Sequence, residues 1–182
     1  MSEREPKVES SGVAIRRATE NEQWSAITAL LHRAYAVHAA RGLRFYASYQ
    51  DENVTRERAG EGECYLALID SAVVGTVTAL PGGRKSECSW YVRTDVASMG
   101  QLAVEPAFQH RRIGTSLLDL SEGRARAWGA RQIAIDTSEH ATDLITLYSK
   151  RGYKIVDSIS WPETNYRSVI LAKALWPDHD HA

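Results

Sequence analysis

The sequence predicts a mixed α/β fold: a central, mostly antiparallel sheet of about seven strands with helices on both faces. Short apolar runs with strand-like patterns occur along the whole chain, and the early ones follow one another in hairpin order. Apolar residues with helical spacing over residues 113–128 then join two of these runs. Such a helical crossover makes the strands that it connects parallel, so the predicted sheet is mixed.

The first half of the chain is predicted to contain an edge strand, two helices and a hairpin. Residues 13–17 alternate in polarity, as strands do. Thr19 and Glu22 have the spacing of a capping box, and apolar residues then recur at helical spacing: Trp24, Ile27, Leu31 and Tyr35. Residues 55–58 form a short helix candidate. Residues 64–69 and 73–80 flank the dipeptide Asp70-Ser71, which predicts a two-residue hairpin turn.

The second half is predicted to contain two helices, residues 113–128 and 142–151, among four strands. Gly129 follows the first helix at the position where a C-terminal cap is expected. The four predicted strands cover residues 96–104, 132–136, 154–160 and 168–174.

Composition indicates one globular domain, residues 13–176, between flexible tails of residues 1–12 and 177–182. Of the 182 residues, 43% are hydrophobic and 25% charged, and the net charge is −1, which gives no general attraction to nucleic acid or to anionic membranes. No apolar run is long enough to span a bilayer. Residues 1–11 lack the apolar core of a signal peptide.

The two cysteines, Cys64 and Cys88, do not have the C-x-x-C spacing of a metal or redox site. We therefore expect reduced thiols, a cytoplasmic location and no metal.

Residues 102–118 join a strand, a basic loop and a helix N-terminus. The apolar run ends at Glu105-Pro106, and Gly114 lies at the start of the next helix. The free N–H groups and the positive end of the dipole at a helix N-terminus attract anions. Gly114 has no Cβ, so a phosphate can approach its backbone closely. This segment predicts a phosphate-binding site.

Three known phosphate loops are candidates. The Walker loop requires Gly-Lys-Ser/Thr, which is absent, and the dinucleotide loop requires three glycines where only Gly114 is available. The third has the consensus Arg/Gln-x-x-Gly-x-Gly/Ala, and the chain resembles it at Gln109-His110-Arg111-Arg112-Ile113-Gly114. This is the pyrophosphate loop of the GCN5-related N-acetyltransferases. Arg112 replaces the first consensus glycine, and an ordinary basic turn is the alternative interpretation.

A second motif resembles the same family. Leu147-Tyr148-Ser149-Lys150-Arg151-Gly152-Tyr153 is similar to the family signature Leu-Tyr-x-Lys-x-Gly-Phe. In the family, that tyrosine points at the cofactor sulfur from a helix that ends at the glycine. The resemblance extends over residues 13–175. It implies that the fourth and fifth strands, which end at Val104 and Asp136 in the predicted sheet, splay apart and hold acyl-CoA between them.

The resemblance implies acetyl transfer from acetyl-CoA to an amine, of a small molecule or a protein, by direct attack in a ternary complex. Tyr148 would assist the leaving thiolate, although packing on its helix is the simpler role. The residues implied to contact acetyl-CoA are Leu102, Ala103, Val104, Gln109, His110, Arg111, Arg112, Ile113, Gly114 and Thr115. A non-catalytic acyl-CoA sensor with the same fold is the alternative function.

The general base of the family is missing from its usual position. Many relatives carry a glutamate six residues before the position of Val104, where this chain has Ser98. We therefore expect weakly basic acceptor amines or an alkaline optimum, since deprotonating a lysine-like amine at pH 7 costs about 4.6 kcal/mol. Glu87, Asp95 and Glu105 are the other candidates to accept the proton, and a solvated surface carboxylate is the alternative interpretation of each.

The acceptor pocket implied by the resemblance is aromatic, which suits an apolar or cationic amine. Its expected residues are Tyr35, Phe45, Trp90, Trp161 and Tyr166, with His38, Tyr46 and Tyr91 nearby. Packing in the core or at its rim is the alternative for these side chains. The expected partner is an amine acceptor, and a homodimer is one assembly that the resemblance admits.

Overall fold

The computed structural model describes residues 12–176, so the two predicted tails, apart from Gly12, lie outside the described residues. The strands are β1 Ala14–Arg17, β2 Glu63–Ile69, β3 Ala72–Leu80, β4 Val96–Val104, β5 Gln132–Ser138, β6 Lys154–Ser160 and β7 Arg167–Ala174. The helices are α1 Trp24–Ala39, α2 Glu52–Gly60, α3 Ile113–Ala127 and α4 Thr142–Lys150. Every predicted strand and helix is present, and in the predicted order.

The strands form one sheet in the order β1-β2-β3-β4-β5-β7-β6. All neighbours are antiparallel except β4 and β5, which α3 connects as a parallel crossover. These two strands pair only from Val96 to Ser98, opposite Gln132 to Ala134, and then diverge. The mixed sheet and its splayed central strands confirm the predicted fold class.

Hydrophobic clusters cover both faces of the sheet, and the two largest contain the helices. On β2, Leu66 packs in the core with α1, whereas the adjacent Ala67 packs in the core with α3 and α4. Because successive strand residues point to opposite faces, each core receives alternate residues of the strand. The helices therefore lie on both sides of the sheet.

Strand β4 contains a bulge at the point where it separates from β5. Its pairing with β3 changes from Ala103 opposite Thr76 to Gly100 opposite Thr78, so β4 has one extra residue. Gln101 has a φ of 51°, which is unusual for a residue with a side chain. Its buried amide accepts a hydrogen bond from Gln50 Nε2 (2.6 Å), which holds the bulge in place.

The helix starts differ from the predicted ones. Glu22 accepts a hydrogen bond from the Thr19 N–H (2.9 Å), as in a capping box, but α1 begins only at Trp24 and has no side-chain cap. Glu22 is instead held by Arg16 (2.6 Å). Helix α2 is longer than predicted because Asp51 caps it, accepting a hydrogen bond from the Val54 N–H (2.9 Å).

The predicted turns are confirmed. Asp70 and Ser71 both have positive φ values, 47° and 67°, as a two-residue turn of type I′ requires. Gly129 follows α3 with a φ of 78°, a left-handed conformation that glycine adopts without strain.

Cys64 and Cys88 are buried free thiols. Across residues 12–176 no helix is both long and apolar enough to cross a membrane.

Candidate active site

A cavity of about 390 Å³ opens where β4 and β5 separate. Its floor consists of residues from the two diverging strands: Met99, Gly100, Gln101, Leu102, Ile135, Asp136 and Thr137. Helices α1, α2 and α4 and the loop between β6 and β7 contribute its walls. The divergence of two neighbouring strands thus creates the site.

The loop between β4 and α3 presents unpartnered backbone N–H groups. The first backbone hydrogen bond of α3 runs from Ser116 N to Arg112 O (2.9 Å). Within the described chain, the N–H groups of residues 110–115 donate to no protein acceptor. His110 and Arg112 have positive φ values, 63° and 64°, and left-handed residues of this kind turn successive N–H groups toward one side. This geometry suits phosphate oxygens.

The loop conformation explains the consensus glycine at position 112. Arg112 adopts the left-handed region, with φ 64° and ψ 7°, and its side chain is exposed. Gly114, by contrast, has helical backbone, and a Cβ there would lie 3.6 Å from Val104 Cγ2, an ordinary contact. The packing of the protein itself therefore does not require glycine at position 114.

The other residues predicted to contact acetyl-CoA lie along the same path. Leu102 lines the cavity, and Gln109 Nε2 donates to the Val104 carbonyl (3.3 Å). Arg111 stacks on the Phe108 ring at 5.2 Å, and Thr115 is half-buried in the first turn of α3. The side chains of Ala103 and Ile113 belong to the two cores, so these two residues offer only their backbone.

Tyr148 reaches the cavity from α4. Its side chain is 5% exposed, packs against the Tyr153 ring at 5.8 Å and lines the cavity. Burial raises the pKa of Tyr148, and the nearby Tyr35 and Asp136 raise it further. The phenol is therefore protonated at neutral pH and is a weaker acid than free tyrosine.

The carboxylates considered from the sequence lie in three different places. Asp95 pairs with Arg93 (2.8 Å) and Glu105 pairs with Arg33 (2.8 Å), and neither lines the cavity. Glu87 does line it, from the exposed loop between β3 and β4. Ser98 is buried and accepts a hydrogen bond from Arg84 Nη1 (3.0 Å).

The structure places a different carboxylate, Asp136, in the gap between the splayed strands. Asp136 lies two residues beyond the last β4–β5 pair and lines the cavity. Its oxygens accept hydrogen bonds from the Tyr91 hydroxyl (2.8 Å) and from Trp161 Nε1 (3.0 Å). Sequence reasoning treated Asp136 as the end of a strand, although β5 continues to Ser138. Asp136 directly follows the apolar run Ile133-Ala134-Ile135, and a carboxylate at the end of a buried run was a signal that could have found it.

Most of the predicted aromatic residues meet around the cavity. Tyr35, Phe45, Trp161 and Tyr166 line it, as do Tyr46 and Tyr91. Trp90 does not line it, because its ring packs beside the sheet under Arg93, 4.5 Å away; the neighbouring Tyr91 takes that place in the wall. His38 packs behind Phe45 at 4.8 Å.

Comparison with known proteins agrees with this geometry. The model of the acetyltransferase (GNAT) family matches residues 24–153. The chain belongs to this family. A curated relative of this GNAT acetyltransferase is S-(2-succino)cysteine N-acetyltransferase of Bacillus subtilis (strain 168), 27% identical over 66% of this chain and 72% of the relative.

Solved structures share the fold of this GNAT acetyltransferase. A GNAT family acetyltransferase from Elizabethkingia anophelis with acetyl-CoA bound matches 91% of this chain and 99% of its own, with a TM-score of 0.63 and 18% identity. The ribosomal-protein-S18-alanine N-acetyltransferase from Escherichia coli matches 93% of this chain and 98% of its own, with a TM-score of 0.68 and 14% identity. At these identities the likeness concerns the fold.

Proposed function

We propose that the chain is an acetyl-CoA-dependent N-acetyltransferase in which an amine attacks the thioester directly in a ternary complex. The observation that carries this proposal is the presence of a carboxylate, Asp136, and a protonated phenol, Tyr148, in one cavity between the splayed strands. Acetyl-CoA supplies the activated acetyl group. Transfer to an amine then needs a group that accepts a proton and a group that stabilises the leaving sulfur.

Asp136 is suited to accept the proton. Its two hydrogen bonds come from neutral donors, and no cation of residues 12–176 forms an ion pair with it. An ammonium group that enters the cavity can therefore bind this carboxylate. The ammonium first loses one proton to solvent, because only a neutral amine has the lone pair that attacks the thioester. As the N–C bond forms and the C–S bond breaks, a second nitrogen proton passes to the Asp136 carboxylate, and the thiolate of CoA leaves.

Tyr148 is suited to stabilise the leaving sulfur by hydrogen bonding. Full proton transfer from an ordinary phenol to an ordinary thiolate is uphill by about 2 kcal/mol. Burial raises the pKa of Tyr148, which makes full transfer still less favourable. The phenol thus donates a hydrogen bond to the leaving thiolate and keeps its own proton, and the thiolate takes its proton from solvent.

The loop and β4 are suited to bind acetyl-CoA. The N–H groups of residues 110–115 offer donors for the pyrophosphate, and the backbone of Leu102, Ala103 and Val104 runs beside the gap without a β5 partner. The curated relative is an N-acetyltransferase, which supports a nitrogen acceptor here.

We further propose that residues 13–176 act as one catalytic domain, supported by the continuous seven-stranded sheet. A cytoplasmic location is supported by the free thiols of Cys64 and Cys88, which a reducing compartment preserves. The homodimer stays a prediction.

A panel of amines tests the proposed reaction, with release of free thiol from acetyl-CoA and the mass of the acetylated product as readouts. We expect at least one amine to be acetylated, and we expect Asp136→Asn to lower kcat/KM by about 100-fold or more. Asp95→Asn is the matched control, because Asp95 lies outside the cavity. If the protein binds acetyl-CoA but acetylates no amine, it is a sensor; if Asp136→Asn is fully active, Asp136 is not the base.

A further inference from the structure

Helix α2 places an arginine, Arg58, in the lining of the cavity. Arg58 is half-buried, and its guanidinium lies 5.2 Å from the centre of the Tyr46 ring. Nη1 donates a hydrogen bond to Gln50, while Nη2 lies next to β4, 3.7 Å from the place where a Cβ of Gly100 would be. Among the described residues, no carboxylate lies within ion-pair distance of Arg58.

The other cationic side chains of the cavity differ from Arg58. Arg84 forms an ion pair with Glu61 (3.0 Å) and also donates to Ser98 (3.0 Å). Lys85 is exposed in the loop between β3 and β4. Of these three cations, Arg58 is the one that is half-buried without an anionic partner in residues 12–176.

A buried amide fixes the orientation of this guanidinium. Gln50 is 1% exposed, and its Nε2 donates to Gln101 Oε1 (2.6 Å) and to Thr55 Oγ1 (2.8 Å). With its nitrogen used in this way, the oxygen of Gln50 faces Arg58. The guanidinium is thus held in place by a neutral group and keeps donors available for a ligand.

The chemistry of arginine indicates which ligand this is. A guanidinium stays charged in proteins, and its partial burial without an anion costs free energy. Its planar donors match the two oxygens of a carboxylate. Asp136 also lines the cavity. The charges of Arg58 and Asp136 both act on the Tyr35 hydroxyl. Burial is the main reason that the pKa of Tyr35 is raised to about 12, while Arg58 lowers this pKa and Asp136 raises it.

We infer that Arg58 binds the carboxylate of a small zwitterionic acceptor, an amino acid or a derivative of one, whose amine is thereby directed to Asp136. The inference rests on the proposed function, because it names the acceptor class of the same site. A cavity of about 390 Å³ is at the small end of ligand pockets, in keeping with an acceptor of this size.

The test compares amino acids with their α-carboxamides, for example leucine with leucinamide and phenylalanine with phenylalaninamide, as acetyl acceptors. We expect the wild-type protein to prefer the acids. Arg58→Gln should lower kcat/KM for the acids by about 10- to 100-fold, the loss expected for a hydrogen-bonded charge, mainly through a higher KM. In Arg58→Gln, kcat/KM for the amides and the KM for acetyl-CoA should be unchanged. Arg58→Lys should recover part of the preference for acids over amides.

Arg56→Gln is the matched control, since Arg56 is an exposed residue of the same helix and does not line the cavity. The amine of an amide is the weaker base and has the larger neutral fraction at pH 7, so amine protonation favours the amides and does not explain a preference for the acids. An equal loss on acids and amides in Arg58→Gln would overturn the inference and make Arg58 a structural support of the bulge. A wild-type preference for the amides would overturn it as well.

Failure of the proposed function gives a different result. If the wild-type protein acetylates none of these amines, calorimetric titration of leucine and leucinamide into the CoA-saturated protein decides the inference on its own. Binding of leucine that Arg58→Gln abolishes supports the carboxylate site without acetyl transfer. Absence of leucine binding to the wild-type protein overturns it.

Discussion

Burial determines what single side chains contribute to the proposed chemistry. Tyr148 is almost fully enclosed, and its raised pKa keeps the phenol protonated. Asp136 is half-buried, and two neutral donors, Tyr91 and Trp161, orient its oxygens. Burial and the Asp136 charge hold the pKa of Tyr91 well above its ordinary value, so this donor also keeps its proton.

We expect Tyr148→Phe to lower kcat by about 100-fold while changing the KM for acetyl-CoA little, because the phenol acts on charge that appears only as the thiolate leaves. Steady-state kinetics with saturating amine measures both constants. Tyr153→Phe is the control, because the Tyr153 hydroxyl binds Glu122 (3.1 Å) outside the cavity. An unchanged kcat in Tyr148→Phe would leave this residue a packing role only.

The pH profile tests the same residue. Because the pKa of Tyr148 is raised above its ordinary value, the protonated donor persists as the pH rises. The wild-type kcat/KM should therefore show no descending limb from Tyr148 between about pH 7 and about pH 10. A descending limb in that range that is absent from Tyr148→Phe would contradict the expected sign.

Among the elements, the loop between β4 and α3 shows how backbone conformation determines a consensus residue. The consensus has glycine where this chain has Arg112, and Arg112 adopts the left-handed conformation that glycine tolerates best. The loop therefore keeps its shape with a different residue. Its N–H groups, rather than the Arg112 side chain, are the donors for the pyrophosphate in our proposal.

We expect Arg112→Gly to leave the Kd for acetyl-CoA within about threefold and the free energy of unfolding within about 1 kcal/mol, because glycine adopts this conformation readily. Arg112→Val should cost about 2 kcal/mol or more, since a β-branched residue is strained there. Calorimetric titration and urea denaturation measure the two quantities. Weak binding by a stable Arg112→Gly protein would assign the Arg112 side chain to the phosphates.

At the scale of the whole molecule, the cavity exists because two strands of one sheet stop pairing. Strands β4 and β5 are held together at Val96–Ser98 and by α3, and they are held apart further on, where the bulge at Gln101 turns β4 away. The cores on the two faces keep both strands in position. Binding between them should therefore stabilise the whole folded domain.

We expect acetyl-CoA at a hundredfold excess over its Kd to stabilise the protein by about 2.7 kcal/mol, measured by thermal unfolding. Gly114→Ala should keep this effect, since alanine is allowed by the consensus and a Cβ meets only an ordinary contact. Gly114→Val should fold without acetyl-CoA but lose the stabilisation, because its branched side chain obstructs the approach of the phosphate. Stabilisation by ATP or NADH instead of acetyl-CoA would refute the predicted ligand.

Local sequence patterns were enough to predict the order of the elements, the hairpin turn at Asp70-Ser71, the helix end at Gly129 and the loop between β4 and α3. Each depends on residues close together in the chain, through hydrophobic period, positive φ or the free N–H groups of a helix start. The start of α1 was predicted less well, because Glu22 forms an ion pair with Arg16 and does not cap the helix. The length of α2 was also predicted less well, because Asp51 caps this helix before the predicted start.

Which side chains share the cavity depends on contacts between residues that are far apart in the chain. Asp136 receives its hydrogen bonds from residues 45 and 25 positions away, and Arg58 meets β4 only because α2 packs near the bulge. No local pattern encodes such contacts, since they depend on how distant elements pack and on where β4 and β5 separate. For this reason the sequence patterns did not predict Asp136 and Arg58 as site residues, whereas their neighbours in the folded chain identify them.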